Sequence, residues 1–131
     1  MPDTSLPPTI ETFLRDHVET LQELELLTVL INAPDRWWDA AAVGRLIGAD
    51  PAATRAALER LASRNLLAIT ISSEVRYRFQ PGTPALRHAA DAFAEALRTH
   101  GLAVYRFVAG TSNRAIRDFA DAFRFRRDDS R

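Results

Sequence analysis

Cysteine is absent from the 131 residues, which excludes disulfides, thiolate metal sites and a cysteine nucleophile. Lysine is absent as well, so every fixed positive side chain is an arginine, the cation better suited to forking onto phosphates and carboxylates. Charge of one sign is missing: 17 basic residues meet 17 acidic ones, and the formal net charge is +0. A uniformly basic, phosphate-seeking surface is thereby excluded, and only local clustering of arginines leaves such a role open. The 5 glycines are too few and too scattered for a phosphate-cradling loop. No apolar stretch approaches the roughly 20 residues of a membrane span. The segment 1–8 is proline-rich with an acidic Asp3 and does not read as a signal peptide, so the expected compartment is the cytoplasm. His17, His88 and His100 have no second ligand at metal-like spacing, so neither metal nor other cofactor is expected. No set of nucleophile, base and orienting group is visible, and an enzyme is not expected.

What is present is enough apolar residue, 47% of the chain, for one compact domain. Residues 9–16 place Ile10, Phe13 and Leu14 on one side of a first helical segment. Thr20-Leu21-Gln22-Glu23 has the spacing of a capping box, either a helix start or a feature inside one continuous helix, and the leucine-rich run after it predicts a helix buried on more than one side, stopped by Ala33-Pro34-Asp35. Trp37 and Trp38 follow; one is expected to anchor the core and the other to cover it, with ligand stacking as the alternative. Asp39 is placed to cap a helix over Ala40–Ile47 whose buried face is Val43, Leu46 and Ile47, and Gly48 to end it in the left-handed region. Asp50 and Pro51 open the next helix, which puts Thr54, Leu58, Leu61 and Ala62 on one face and ends at Arg64-Asn65.

The period then changes from helical to alternating. Leu67, Ile69 and Ile71 point one way; after Ser72-Ser73-Glu74, Val75, Tyr77 and Phe79 face opposite to Arg76 and Arg78. A short antiparallel hairpin is predicted, closed by Pro81-Gly82. The last third reads as helical, with a stripe of Leu86, Ala90, Phe93 and Leu97 that Val104 and Val108 extend. Gly101, after Arg98 and His100, leaves open whether this is one helix or two. A final amphipathic helix carries Ile116, Phe119, Ala120 and Phe123. The expected organisation is a flexible tail at 1–8, a folded domain at 9–83, a helical extension at 84–125 and a charged tail at 126–131.

Helix, turn, helix and hairpin, in that order, make the central pattern. The residues Ala42-Val43-Gly44-Arg45-Leu46-Ile47-Gly48 and Asp50-Pro51-Ala52-Ala53-Thr54-Arg55-Ala56-Ala57-Leu58-Glu59-Arg60-Leu61, with Asn65-Leu66-Leu67 stepping into the hairpin, resemble winged-helix regulators of the broad MarR-like kind. The flanking pieces Phe13-Leu14-Arg15-Asp16-His17-Val18 and Tyr77-Arg78-Phe79-Gln80-Pro81, together with 119–127, are similar to a set of small bacterial winged-helix proteins. The resemblance implies a mainly α fold with a small β-hairpin wing: a winged helix-turn-helix core plus C-terminal helices. It implies a cytoplasmic DNA-binding transcriptional regulator, with the second helix of the pair in a major groove and the hairpin at the flanking backbone.

Stepping about 100° per residue from Leu58 turns Ala52, Ala53, Ala56, Arg60 and Ser63 outward, with Arg55 and Glu59 on the flanks. Alanine reads little beyond a thymine methyl, so binding is expected to be phosphate-dominated and weakly specific. The candidate DNA contacts are Arg45, Arg55, Arg60, Ser63, Arg76 and Arg78, while Asp50 and Glu74 oppose phosphate. A homodimer is expected, with Leu86, Phe93, Leu97, Val104, Val108, Phe119 and Phe123 as contacts with the second copy or another protein. The alternative is a winged-helix module that binds a protein partner and no DNA, favoured by the neutral charge and the alanine face. The phenylalanine- and arginine-bearing C-terminus is interrupted by Asp118 and Asp121, so no membrane contact is expected.

Overall fold

The computed structural model describes residues 6–110. They form a mainly helical body with one small antiparallel sheet. The order is α1 (Pro8–His17), α2 (Leu21–Asn32), β1 (Trp38–Asp39), α3 (Ala40–Ile47), α4 (Pro51–Ser63), β2 (Leu67–Ile71), β3 (Val75–Phe79) and α5 (Pro84–Thr99). Residues 101–110 are helical too. His100, at φ −136° and ψ 40°, breaks them from α5, so two helices stand where the apolar stripe alone leaves one or two open. The expected final helix around Ile116, Phe119 and Phe123, and the tail after it, lie outside the described residues.

Local chemistry sets the helix boundaries. Thr20 Oγ1 accepts from the Glu23 amide at 3.1 Å, and the Glu23 carboxylate reaches back to the Glu19 amide at 2.9 Å, one residue before the cap. Asp39 accepts from the Ala42 amide at 2.7 Å and starts α3. Gly48 ends that helix at φ 71°, and Asn65 takes φ 67° beyond the end of α4, a conformation that asparagine tolerates better than most residues. Asp50 accepts from the Ala52 and Ala53 amides at 2.8 and 3.4 Å, with Pro51 at the first helical position.

The sheet has three strands in the order β1-β3-β2, not the two of the predicted hairpin. The extra strand is Trp38–Asp39, which pairs Trp38 with Tyr77 and Asp39 with Arg76. Two residues are too few for an alternating pattern to announce them. Within the hairpin the register sets Leu67 against Phe79, Ile69 against Tyr77 and Ile71 against Val75, which places all six on one face as expected. Trp38 joins that face through Tyr77, and both side chains are buried.

The core runs through the described chain from Ile10, Phe13 and Leu14 of α1 to Val104 and Val108 of the last helical segment. Leu24, Leu26, Leu27 and Leu30 fill the centre from α2, and Leu58, Leu61 and Leu66 close it from α4 and the step into β2. Phe93 is fully buried and stacks on Phe13 at 4.9 Å, so α1 and α5 pack against one another. α3 departs from the expected buried face: Leu46 is 63% exposed, while Val43 and Gly44 are buried. The reason is a close crossing with α4. An added Cβ on Gly44 would lie 2.8 Å from Thr54 Oγ1 and 3.0 Å from the Ala49 carbonyl. α3 therefore rests on its Val43 and Gly44 side, which swings Leu46 to the rim.

Candidate functional site

α3 leads through the turn 48–50 into α4, and the two helices cross where Gly44 meets Thr54. Thr54, Ala57, Leu58 and Leu61 form the buried row of α4. Ala52, Ala53, Ala56, Arg60 and Ser63 are exposed, as the helical rotation predicts, and so are Arg55 and Glu59. Thr54 Oγ1 donates to the Asp50 carbonyl at 2.9 Å, which directs its hydroxyl into α4's own backbone at the crossing.

Each candidate contact has a definite partner or a definite lack of one. Arg45 is exposed on α3 and takes no ion-pair partner among the described residues. Arg55 Nε pairs with Glu59 at 3.2 Å along the helix. Arg76 pairs with Glu74 at 3.6 Å. The Arg78 guanidinium lies 4.6 Å over the Trp37 ring and donates to Gln80 Oε1 at 2.6 Å. Ser63 Oγ donates to the Arg60 carbonyl at 2.7 Å. Exposed pairs of the Arg55–Glu59 and Arg76–Glu74 kind are worth about 0–1 kcal/mol, so these arginines exchange partners at little cost.

Arg60 is different. Its Nε donates to Glu23 Oε2 at 2.9 Å, and Arg64 Nη1 donates to Glu23 Oε1 at 2.6 Å and to the His17 carbonyl at 2.8 Å. The Glu23 side chain is 0% exposed. Burial pushes its carboxyl up, but the hydrogen bonds from Arg64, the Glu19 amide and Arg60 outweigh that and hold it below the usual carboxylate range. Releasing Arg60 to an outside anion would leave a buried carboxylate short of a partner, which costs far more than opening a surface pair. Arg60 thus serves to fasten α4 to α2. Sequence distance hid this, since the two residues are 37 positions apart.

The arginines do not share one surface. The Tyr77 hydroxyl is pushed up by burial and by the nearby Glu59 carboxylate, with Arg55 acting against both, so α4 flanks the face of the sheet that carries Tyr77. Arg76 and Arg78 alternate with Tyr77 and stand on the opposite face, beside Asp39 and Thr70. The predicted cluster is therefore divided, with Arg55 on the Tyr77 side of the sheet, Arg76 and Arg78 on the far side, and Arg45 exposed on α3.

The partner-contact stripe is mostly internal. Phe93, Val104 and Val108 are at most 1% exposed within the single chain, and Leu86 and Leu97 are half-buried against the core. Their spacing reported burial correctly, but the surface they cover is α1 and α2 of their own chain. Phe119 and Phe123 lie outside the described residues. Trp38 is a core residue, and Trp37 is half-buried under Arg78. Two surface grooves on the helical side, one lined by Phe13, His17 and Ala89 and the other by Thr28, Leu97 and Tyr105, include neither tryptophan. Among the described residues no group of three or more potential ligands could hold a metal, and no helix is long and apolar enough to cross a membrane. Comparison with protein-family models, with curated proteins and with solved structures finds no match in any of the three.

Proposed function

We propose that this chain is a winged helix-turn-helix transcriptional regulator of the MarR-like kind, acting in the cytoplasm as a homodimer on double-stranded DNA, with α4 as the reading helix and the β2–β3 hairpin as the wing. The observation that carries the reading is the placement of α4. One row of it is buried, the opposite row from Ala52 to Ser63 is uncovered, and α3 braces it across the Gly44–Thr54 contact. A helix so held, after a short turn and before a hairpin, has the geometry that enters a major groove.

The grip assigned here uses Arg45 and Arg55 near the groove and Arg76 and Arg78 on the flanking backbone, and it omits Arg60. Alanines at the outward N-terminal half provide few base-reading groups, so affinity is phosphate-dominated. Fluorescence anisotropy with a mixed-sequence duplex tests this. Binding that weakens steeply as salt rises, and that is lost in Arg76→Glu with Arg78→Glu, is the expected result. No binding at low salt would reject it.

A second reading, a protein-binding module without DNA contact, draws support from two observations. Leu46 and Ile71 are 63% and 77% exposed, and Asp50 already takes two of the free amides at the N-terminus of α4. Failure of the duplex experiment would favour it.

A further inference from the structure

β2 is the outer strand of the sheet, and among the described residues no other strand pairs with its far edge. Two hydrogen bonds fix which of its backbone groups face outward. Gln80 donates to the Leu66 carbonyl at 3.0 Å and Ser72 to the Glu74 carbonyl at 3.1 Å, so 66, 68, 70 and 72 turn their peptide groups towards β3. The N–H and C=O groups of Ile69 and Ile71 then point to the open edge. No hydrogen bond among the described residues uses them there. Their side chains are also uncovered, 46% and 77% exposed, where the hairpin runs past the core.

Such an edge is normally blunted by a charge, a proline or a bulge. Leu67–Ile71 reads Leu-Ala-Ile-Thr-Ile, with no charge and no proline, and its pairing with β3 is regular throughout. An uncharged strand also meets a copy of itself without like-charge repulsion.

We infer that the open edge of β2 is a homodimerisation site, at which two copies of this chain pair antiparallel about a two-fold axis through Thr70. In that register Ile69 of each copy exchanges backbone hydrogen bonds with Ile71 of the other, so every outward group of the overhanging segment is satisfied. The four isoleucine side chains gather on one face, and the two Thr70 side chains meet on the other as a closely spaced, non-hydrogen-bonded pair. The pairing is isologous, as a two-fold dimer requires. Only Ile69 and Ile71 of each copy enter the ladder, a smaller contact than the roughly 800 Å² per partner of a standard interface, so a weak dimer is expected. It takes the place of the C-terminal stripe as the interface; β2 is also half of the proposed wing, but the pairing uses neither α4 nor any arginine, so it can be tested without DNA.

The absence of cysteine provides a clean test. Thr70→Cys, mildly oxidised at tens of micromolar chain, is expected to collect as a disulfide-linked dimer. Adding Ile71→Lys is expected to cut the linking rate about tenfold. Leu102→Cys, at a position more exposed than Thr70 and outside the sheet, serves as the collisional control. Far-UV circular dichroism on each variant checks that the fold is kept. If Thr70→Cys links no faster than Leu102→Cys, or if Ile71→Lys leaves the rate unchanged in a folded chain, the inference fails, whatever the duplex experiment shows.

Discussion

At its C-terminal end α4 is tied through Arg60 and Arg64 to the buried carboxylate of Glu23; at its N-terminal end Asp50 caps two amides, and Ala52, Ala53 and Ala56 stand uncovered. One end is fixed by long-range charge pairing across to α2, the other by a contact within the helix's own first turn. The difference separates support from display. The N-terminal half also carries the Gly44–Thr54 crossing with α3, so its mark is the uncovered outer row, while at the other end Arg60 gives its Nε to Glu23.

Breaking the tied end should have the largest effect. Glu23→Ala takes the buried carboxylate from Arg64, which is only 16% exposed, and leaves it the exposed Glu19 at 3.3 Å, and is expected to cost about 3 kcal/mol in urea unfolding. The sign with pH follows from the lowered carboxyl. The folded group titrates below the 4.5 of the free side chain, so its contribution is complete above that pH and is lost as pH falls through the folded value. The stability gap between the wild type and Glu23→Gln should therefore narrow on acidification below pH 4.5. An unchanged gap would mean that the pairing is not what holds this end.

The crossing between the two ends should respond next. Gly44→Ala forces a Cβ against Thr54 Oγ1 and the Ala49 carbonyl. Overpacking exceeds the gain in helix preference, and a net loss of about 1.5 kcal/mol is expected in thermal unfolding. Duplex affinity should fall with it, although no arginine is touched. The displayed end should give the smallest change in stability. Asp50→Ala removes a cap worth about 1 kcal/mol. It also frees the Ala52 and Ala53 amides and removes a negative charge, so duplex binding at low salt should rise while stability falls. A fall in both would show that the N-terminal half of α4 does not approach phosphate.

Much of the fold was legible because its signals are local. Asp39 and Asp50 cap the helices they were expected to cap, Thr20 proves to be a helix start and not a point inside a longer helix, and Gly48 and Asn65 take the left-handed turns assigned to them. The strand alternation showed the hairpin and the face of each side chain from residue types alone, and the observed register agrees with those faces. What escaped depends on distant partners. β1 is strand only because β3 lies beside it. Arg60 looks solvent-facing until Glu23 arrives from α2. Leu46 belongs by spacing to the buried face, but the glycine contact next to it rotates that face away. The stripe of Phe93, Val104 and Val108 announces burial without saying against what, so an internal seam reads as an interface.

The pairing of β1 with β3 also has a consequence for how the molecule opens. Trp38 is held to Tyr77, so α3, α4 and β2 form a loop whose two ends are stitched together. Neither helix can peel away while that stitch holds. The backbone amides of α3 and α4 should therefore exchange with deuterium as one cooperative unit, at a rate set by the rupture of a two-residue strand.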